Sequence, residues 1–147
     1  MIEPESIVDY ATAKSDAEGD YLYRLWRATN IHTVHGHMAS GHLQGRLLKM
    51  LVMMQCPRAI LEVGTFSGYS ALCMAEGLKE IAGQADKPYG ADKPRLYTFE
   101  INDEMEDFTR EWIDGSDVAD LIDFRIGDAV EEAPKPVSYT HLRAHET

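Results

Sequence analysis

The stretch Arg58 to Leu78, RAILEVGTFSGYSALCMAEGL, restricts the fold of this chain more than any other. An apolar run from Ala59 to Val63, broken only by Glu62, leads to glycines at 64 and 68, and Ser70, Ala71, Leu72, Met74, Ala75 and Leu78 follow at helical spacing. The pattern predicts a buried strand, a tight glycine turn and a helix. Gly64 can take backbone angles barred to other residues, and Gly68 leaves no side chain between the loop and whatever lies on it. The helix that follows directs free N–H groups at the same spot. Together these predict a site for a nucleotide-like ligand carrying an anionic group. An ordinary strand-to-helix turn can also carry two glycines, and the full dinucleotide pattern G-x-G-x-x-G is absent.

The chain has 147 residues, within the range of one domain, and its 14 Lys and Arg against 25 Asp and Glu give a net charge of -11. Such a balance repels a phosphate backbone, so nucleic acid is not an expected partner. No apolar run reaches membrane-spanning length, and the start, MIEPESIVDY, lacks a signal peptide's basic and apolar segments. The expected compartment is the cytoplasm, no membrane contact is expected, and Cys56 and Cys73 are expected as thiols.

Before the glycine loop the pattern predicts three helices. The first runs from Ile2 to Thr12 with Ile2, Ile7, Val8 and Ala11 on one side, and the second from Asp20 to about Asn30 with Leu22, Leu25 and Trp26 as its apolar face. Tyr21, Tyr23 and Trp26 are expected in the core; lining a pocket for an aromatic substrate is the alternative. His32, His35, His37 and His42 lie within eleven residues but lack the spacing of a metal site, and they predict a polar loop over a ligand. A third helix follows Ser40, its expected N-cap, with Leu43, Leu47, Leu48, Leu51 and Met54 as its buried face and Pro57 as its stop.

After the glycine-loop helix, Gly83 to Pro94 contains Ala-Asp-Lys-Pro twice and reads as a surface loop. A second strand, Arg95 to Phe99, ends at Glu100. An acidic residue at that place can accept hydrogen bonds from the two hydroxyls of a ribose. A further helix starts at Asn102, with Asp103 and Glu106 spaced as a capping box and Phe108, Trp112 and Ile113 as its apolar side. Gly115 and Ser116 end it. The third strand, Ile122 to Ile126, leads into Gly127-Asp128-Ala129.

The string Glu62-Val63-Gly64-Thr65-Phe66-Ser67-Gly68-Tyr69-Ser70 resembles the E-x-G-x-x-x-G-Y-S motif of the small, cation-dependent O-methyltransferases, the family of catechol and caffeoyl-CoA methyltransferases and their bacterial relatives. The resemblance extends over residues 20 to 136. It implies S-adenosylmethionine as cofactor, held by Glu62, Gly64, Phe66, Gly68 and Ser70 of the motif, with Glu100 and Ile101 at the second strand tip. Met38 and Ser40 occupy the family's cofactor-covering entry loop. The Gly-Asp-Ala triplet implies an adenine contact, with Asp128 accepting from the amino group and Ala129 and Val130 covering the ring.

The implied fold is α/β, the N-terminal part of a Rossmann-like, doubly wound methyltransferase sheet, with three of about seven strands preceded by helices. Residues 1–57 would supply the helices and covering loop, 58–136 a partial S-adenosylmethionine-binding domain, and 137–147 a tail foreign to it. That tail, Val137 to Thr147, matches one reading frame of a transposase-type sequencing adapter. In the family, an aspartate-rich motif after the position of Pro136 holds a divalent cation such as Mg. The cation is therefore expected only in a full-length protein, and this chain alone is expected to be inactive. A small phenolic or catechol-like acceptor and a possible homodimer complete what the resemblance implies. An NAD-linked oxidoreductase and a non-catalytic nucleotide-binding module are the alternatives.

Overall fold

The structure, a computed structural model, describes residues 4–84, 89 and 93–133. In chain order these form α1 (Pro4–Lys14), α2 (Asp20–His32), α3 (Gly41–Gln55), β1 (Ala59–Val63), α4 (Tyr69–Ala82), β2 (Arg95–Glu100), α5 (Glu106–Asp114), β3 (Ile122–Ile126) and α6 (Ala129–Glu132). Short 3₁₀ turns span Gly36–Met38, Asp103–Met105 and Ala119–Leu121. The expected foreign tail, Ile2 and both copies of the repeated tetrapeptide except Lys93 and Pro94 lie outside the described residues.

The three strands form one parallel sheet in the order β1-β2-β3, with Glu62 opposite Thr98, Val63 opposite Phe99 and Glu100 opposite Ile126. Parallel neighbours need crossovers, and α4 and α5 supply them. All three strands therefore point their carboxyl ends the same way. The glycine loop, Glu100 and Gly127 meet at that end.

Helix α4 forms the centre of the core. Tyr69, Ala71, Leu72, Cys73, Ala75, Leu78 and Ile81 are all buried, because the helix lies between α3 and the sheet. Two glycines let α3 and α4 approach closely. A Cβ on Gly45 would lie 2.6 Å from Cys73 Sγ, and one on Gly77 would lie 3.1 Å from the Lys49 carbonyl. Burial pushes the Cys73 thiol up to about 12, whereas Cys56, also free, is exposed. N-ethylmaleimide is accordingly expected to modify Cys56 on the native chain and to reach Cys73 only in denaturant. Equal native labelling, read by mass spectrometry, would contradict this packing.

Several sequence expectations are corrected. On α3 the residues turned inward are Gly45, Leu48 and Val52, so Leu47, Leu51 and Met54 form, with Met50, an exposed apolar stripe. The helix carries apolar residues on two sides, and close contact with α4 selects the side with the glycine. On α1, Ile7 and Val8 are exposed, and on α2 the inward set is Leu22, Leu25 and Thr29, with Trp26 stacked on Tyr23 at the surface. Tyr21 packs edge-on against Trp112 and donates its hydroxyl to the Trp112 carbonyl at 2.6 Å. That makes it a packing residue. Strand β1 is not fully buried: Leu61 is 52% and Val63 70% exposed, because β1 is a sheet edge whose second face is open among the described residues. The start of the segment leading to α5 is capped by Asn102, whose side chain accepts from the Glu104 amide, while Glu106 pairs with Arg110. The expected Asp103–Glu106 capping box is not formed.

Candidate functional site

Ligands of open parallel sheets lie beyond the carboxyl ends of the strands. There the loop after β1 has an unusual backbone, with φ of +92° at Gly64, +50° at Phe66 and +84° at Gly68. A Cβ on Gly64 would meet nothing within 4 Å, so Gly64 borders open space and is needed for its angle. At Gly68 the missing side chain makes room for a neighbouring helix. A Cβ there would lie 3.3 Å from Ile113 and 3.6 Å from Thr109, so α5 occupies that space.

Beneath the loop runs a chain of hydroxyls ending on a carboxylate. Thr65 Oγ1 lies 2.6 Å from Thr98 Oγ1, Thr98 donates to Glu62 Oε2 at 2.5 Å, and Ser70 donates to Glu62 Oε1 at 2.5 Å. Glu62 and Ser70 are thus bonded to each other. Burial raises the Glu62 pKa above the ordinary glutamate value, with the Ser70 and Thr98 bonds opposing that rise and the Glu100 charge adding to it. A raised folded-state pKa contributes stability that is present below the unfolded value and lost as pH rises through the folded value. The unfolding free energy of the wild type relative to Glu62→Gln is therefore expected to fall as pH climbs from about 4 towards neutrality. Urea titrations of both proteins across that range, showing no change in the difference, would refute it.

Glu100 is buried at the tip of β2. Its Oε2 accepts from the Phe66 amide at 2.7 Å and its Oε1 from the Asn102 amide at 2.9 Å. A carboxylate has about four acceptor sites, so each oxygen keeps room for another donor. Among the described residues the Ser67 hydroxyl is buried with no hydrogen-bond partner, immediately before the N-terminus of α4, which has no side-chain cap. Free amides and an unpartnered hydroxyl together suit an anionic group.

The remaining expected residues divide into two groups. Ile101 is 75% and Val130 83% exposed, apolar side chains at the tips of β2 and of the segment after β3. Asp128 accepts from the Val130 amide at 2.8 Å and so caps α6, which begins at Ala129. Met38 and Ser40 stand on the segment before α3, and Met38 is 60% exposed. Ser40 occupies the N-cap position of α3 but makes no capping hydrogen bond, because its backbone is already helical, at φ -59° and ψ -38°. Of the histidines, His42 bonds the Asp16 carbonyl at 2.6 Å and the His35 and His37 rings meet edge-on. Among the described residues no three His, Cys, Asp or Glu could hold a metal ion.

Sequence reasoning missed Thr65, Thr98 and Asn102. Alternation in β2 carried a signal for one of them, since Leu96, Thr98 and Glu100 share a face and a threonine among inward positions needs a polar partner.

A family model described as O-methyltransferase matches residues 12–135. Tricin synthase 2 of rice (Oryza sativa subsp. japonica) is 26% identical over 132 residues, which is 88% of this chain and 41% of the rice protein. Mouse (Mus musculus) catechol O-methyltransferase is 30% identical over 98 residues, 67% of this chain and 32% of that protein. The structure of the Podospora anserina methyltransferase PaMTH1 with bound SAH matches with a TM-score of 0.75 at 26% identity, over 94% of this chain and 56% of that one. The chain thus spans less than two thirds of the length of each. The arrangement of helices and parallel sheet is that of the N-terminal part of a Rossmann-like methyltransferase fold.

Proposed function

The chain belongs to the O-methyltransferase family, and from that premise we propose that its strand ends bind S-adenosylmethionine and that the whole protein methylates a hydroxyl of a small phenolic, catechol-like acceptor. The observation that carries the cofactor reading is Glu100, a buried carboxylate held by the Phe66 and Asn102 amides beside the open space at Gly64. The bound SAH of PaMTH1 supports it. The names of the rice and mouse relatives support the acceptor class.

In this reading Glu100 accepts from the ribose hydroxyls. The Ser67 hydroxyl and the free amides of α4 take the amino-acid carboxylate. Glu62, fixed by Ser70 and Thr98, places a buried negative charge beneath a cationic ligand. Ile101, Ala129 and Val130 cover the adenine, Asp128 accepts from its amino group, and Met38 and Ser40 close over it. S-adenosylmethionine supplies an activated methyl group on a sulfonium; the residues here bind and orient, and none of them is assigned a proton transfer. A divalent cation finds no donor set among the described residues.

A homodimer of the whole protein is proposed as well, supported by the exposed stripe of Leu47, Met50, Leu51 and Met54 on α3. Among the described residues no helix is long and apolar enough to cross a membrane. Free thiols at Cys56 and Cys73 support the proposed cytoplasmic setting. The acidic charge supports the absence of nucleic acid from the proposed partners.

Calorimetric titration of this chain with S-adenosylhomocysteine tests the cofactor reading. Saturable binding that NAD does not displace is the expected result. Binding of NAD alone would move the NAD-linked reading to first place, although the loop lacks that fingerprint's third glycine.

A further inference from the structure

Thr109 is the residue outside the loop with the clearest unexplained bond. Threonines in helices commonly return their hydroxyl to the carbonyl four residues back. Thr12, Thr29 and Thr33 do so here, to Val8, Leu25 and Thr29. Thr109, in α5 and fully buried, instead donates to the carbonyl of Phe66, forty-three residues away in the glycine loop. Its γ-methyl lies against the position of Gly68 as well.

Phe66 has φ of +50°, a left-handed conformation that a residue with a Cβ keeps only when its surroundings enforce it. Both of its backbone polar groups are taken, the carbonyl by Thr109 and the amide by Glu100 Oε2. We propose that Thr109 is a positioning residue for the cofactor site: by holding the Phe66 carbonyl it keeps the Phe66 amide on Glu100 and so fixes the orientation of that carboxylate. Replacing the hydroxyl leaves a part-buried carbonyl without its donor, and the left-handed residue relaxes. Glu100 then loses one of its two amide anchors. The part of the inference that concerns affinity rests on the cofactor reading above; the part that concerns the loop does not.

The test compares wild type, Thr109→Val, which keeps the side-chain shape without the hydroxyl, and Thr109→Ser, which keeps the hydroxyl. Dissociation constants for S-adenosylhomocysteine are measured by calorimetry and exchange of the Phe66 amide by NMR. Thr109→Val is expected to weaken binding about tenfold and to accelerate Phe66 exchange, with Thr109→Ser restoring both towards wild type. Equal affinity for wild type and Thr109→Val overturns the proposal, and so does a Ser variant as weak as the Val variant. Should Thr109→Val not fold, Thr109→Ala takes its place, with the same outcomes deciding. If the wild type binds no S-adenosylhomocysteine, it is the cofactor reading that fails; Phe66 exchange then decides the loop role, and unchanged exchange in the Val variant overturns it.

Discussion

Glu100→Ala is expected to weaken S-adenosylhomocysteine binding by about 10- to 140-fold. A hydrogen bond to a charged group is worth about 1.5–3 kcal/mol, and each 1.4 kcal/mol is about tenfold in affinity. The carboxylate also serves the loop, since it receives the Phe66 amide at 2.7 Å and the Asn102 amide at 2.9 Å. Its removal therefore leaves two backbone donors without their partner as well as a ribose without its acceptor. Glu100→Gln separates charge from shape. An amide presents a donor where the carboxylate presents an acceptor, so one backbone N–H would face an NH₂ group. The Gln variant is expected to bind weakly while filling the same volume. Thermal melts give the second readout: excess S-adenosylhomocysteine should raise the wild-type midpoint and leave that of Glu100→Ala nearly unmoved. A dissociation constant unchanged from wild type would remove Glu100 from the site.

Gly45→Val is the substitution expected to cost most stability, about 2–3 kcal/mol, through overpacking between α3 and α4. Even a single Cβ at Gly45 would lie 2.6 Å from Cys73 Sγ and 3.0 Å from Tyr69 Cε1. Neither neighbour can swing clear. Cys73 is short and completely buried, and Tyr69 is pinned by the hydrogen bond from its hydroxyl to Glu18. The gain in helix propensity on replacing a glycine is smaller, about 0.5 kcal/mol for valine. Cys73→Ala in the same chain removes the clashing sulfur, so the double variant should recover part of the loss. Urea denaturation of the four proteins of that cycle gives the coupling directly. Additive effects would mean that the two helices do not meet at these residues.

The strands and the binding loop were legible in the residues themselves. Ala59–Val63, Arg95–Glu100 and Ile122–Ile126 are short segments rich in β-branched, aromatic and aliphatic residues, and each forms a strand where it was expected. Gly64 was legible because its position demands a positive φ, observed at +92°. The motif resemblance anticipated the family, whose model matches residues 12–135.

The faces of the elements were less legible. The leucine stripe of α3 has regular helical spacing, yet Leu47 and Leu51 are exposed and Gly45 and Val52 are buried. Spacing identifies an apolar side but not which of two such sides meets a neighbour, and that choice depends on where α4 lies. The neighbour of Gly68 was illegible for the same reason, because it is α5, distant in sequence, that packs against it.

Local sequence determined what the nearby backbone can do: where it extends, where it turns through glycine, and which acidic residue ends the second strand. Tertiary structure alone decided the partners. Thr98 meets Glu62 at a separation of 36 residues, Phe66 meets Glu100 at 34, and Thr109 meets Phe66 at 43. A backbone preference acts over a few neighbouring residues, whereas a buried polar group must be satisfied by whatever the fold brings within hydrogen-bond reach.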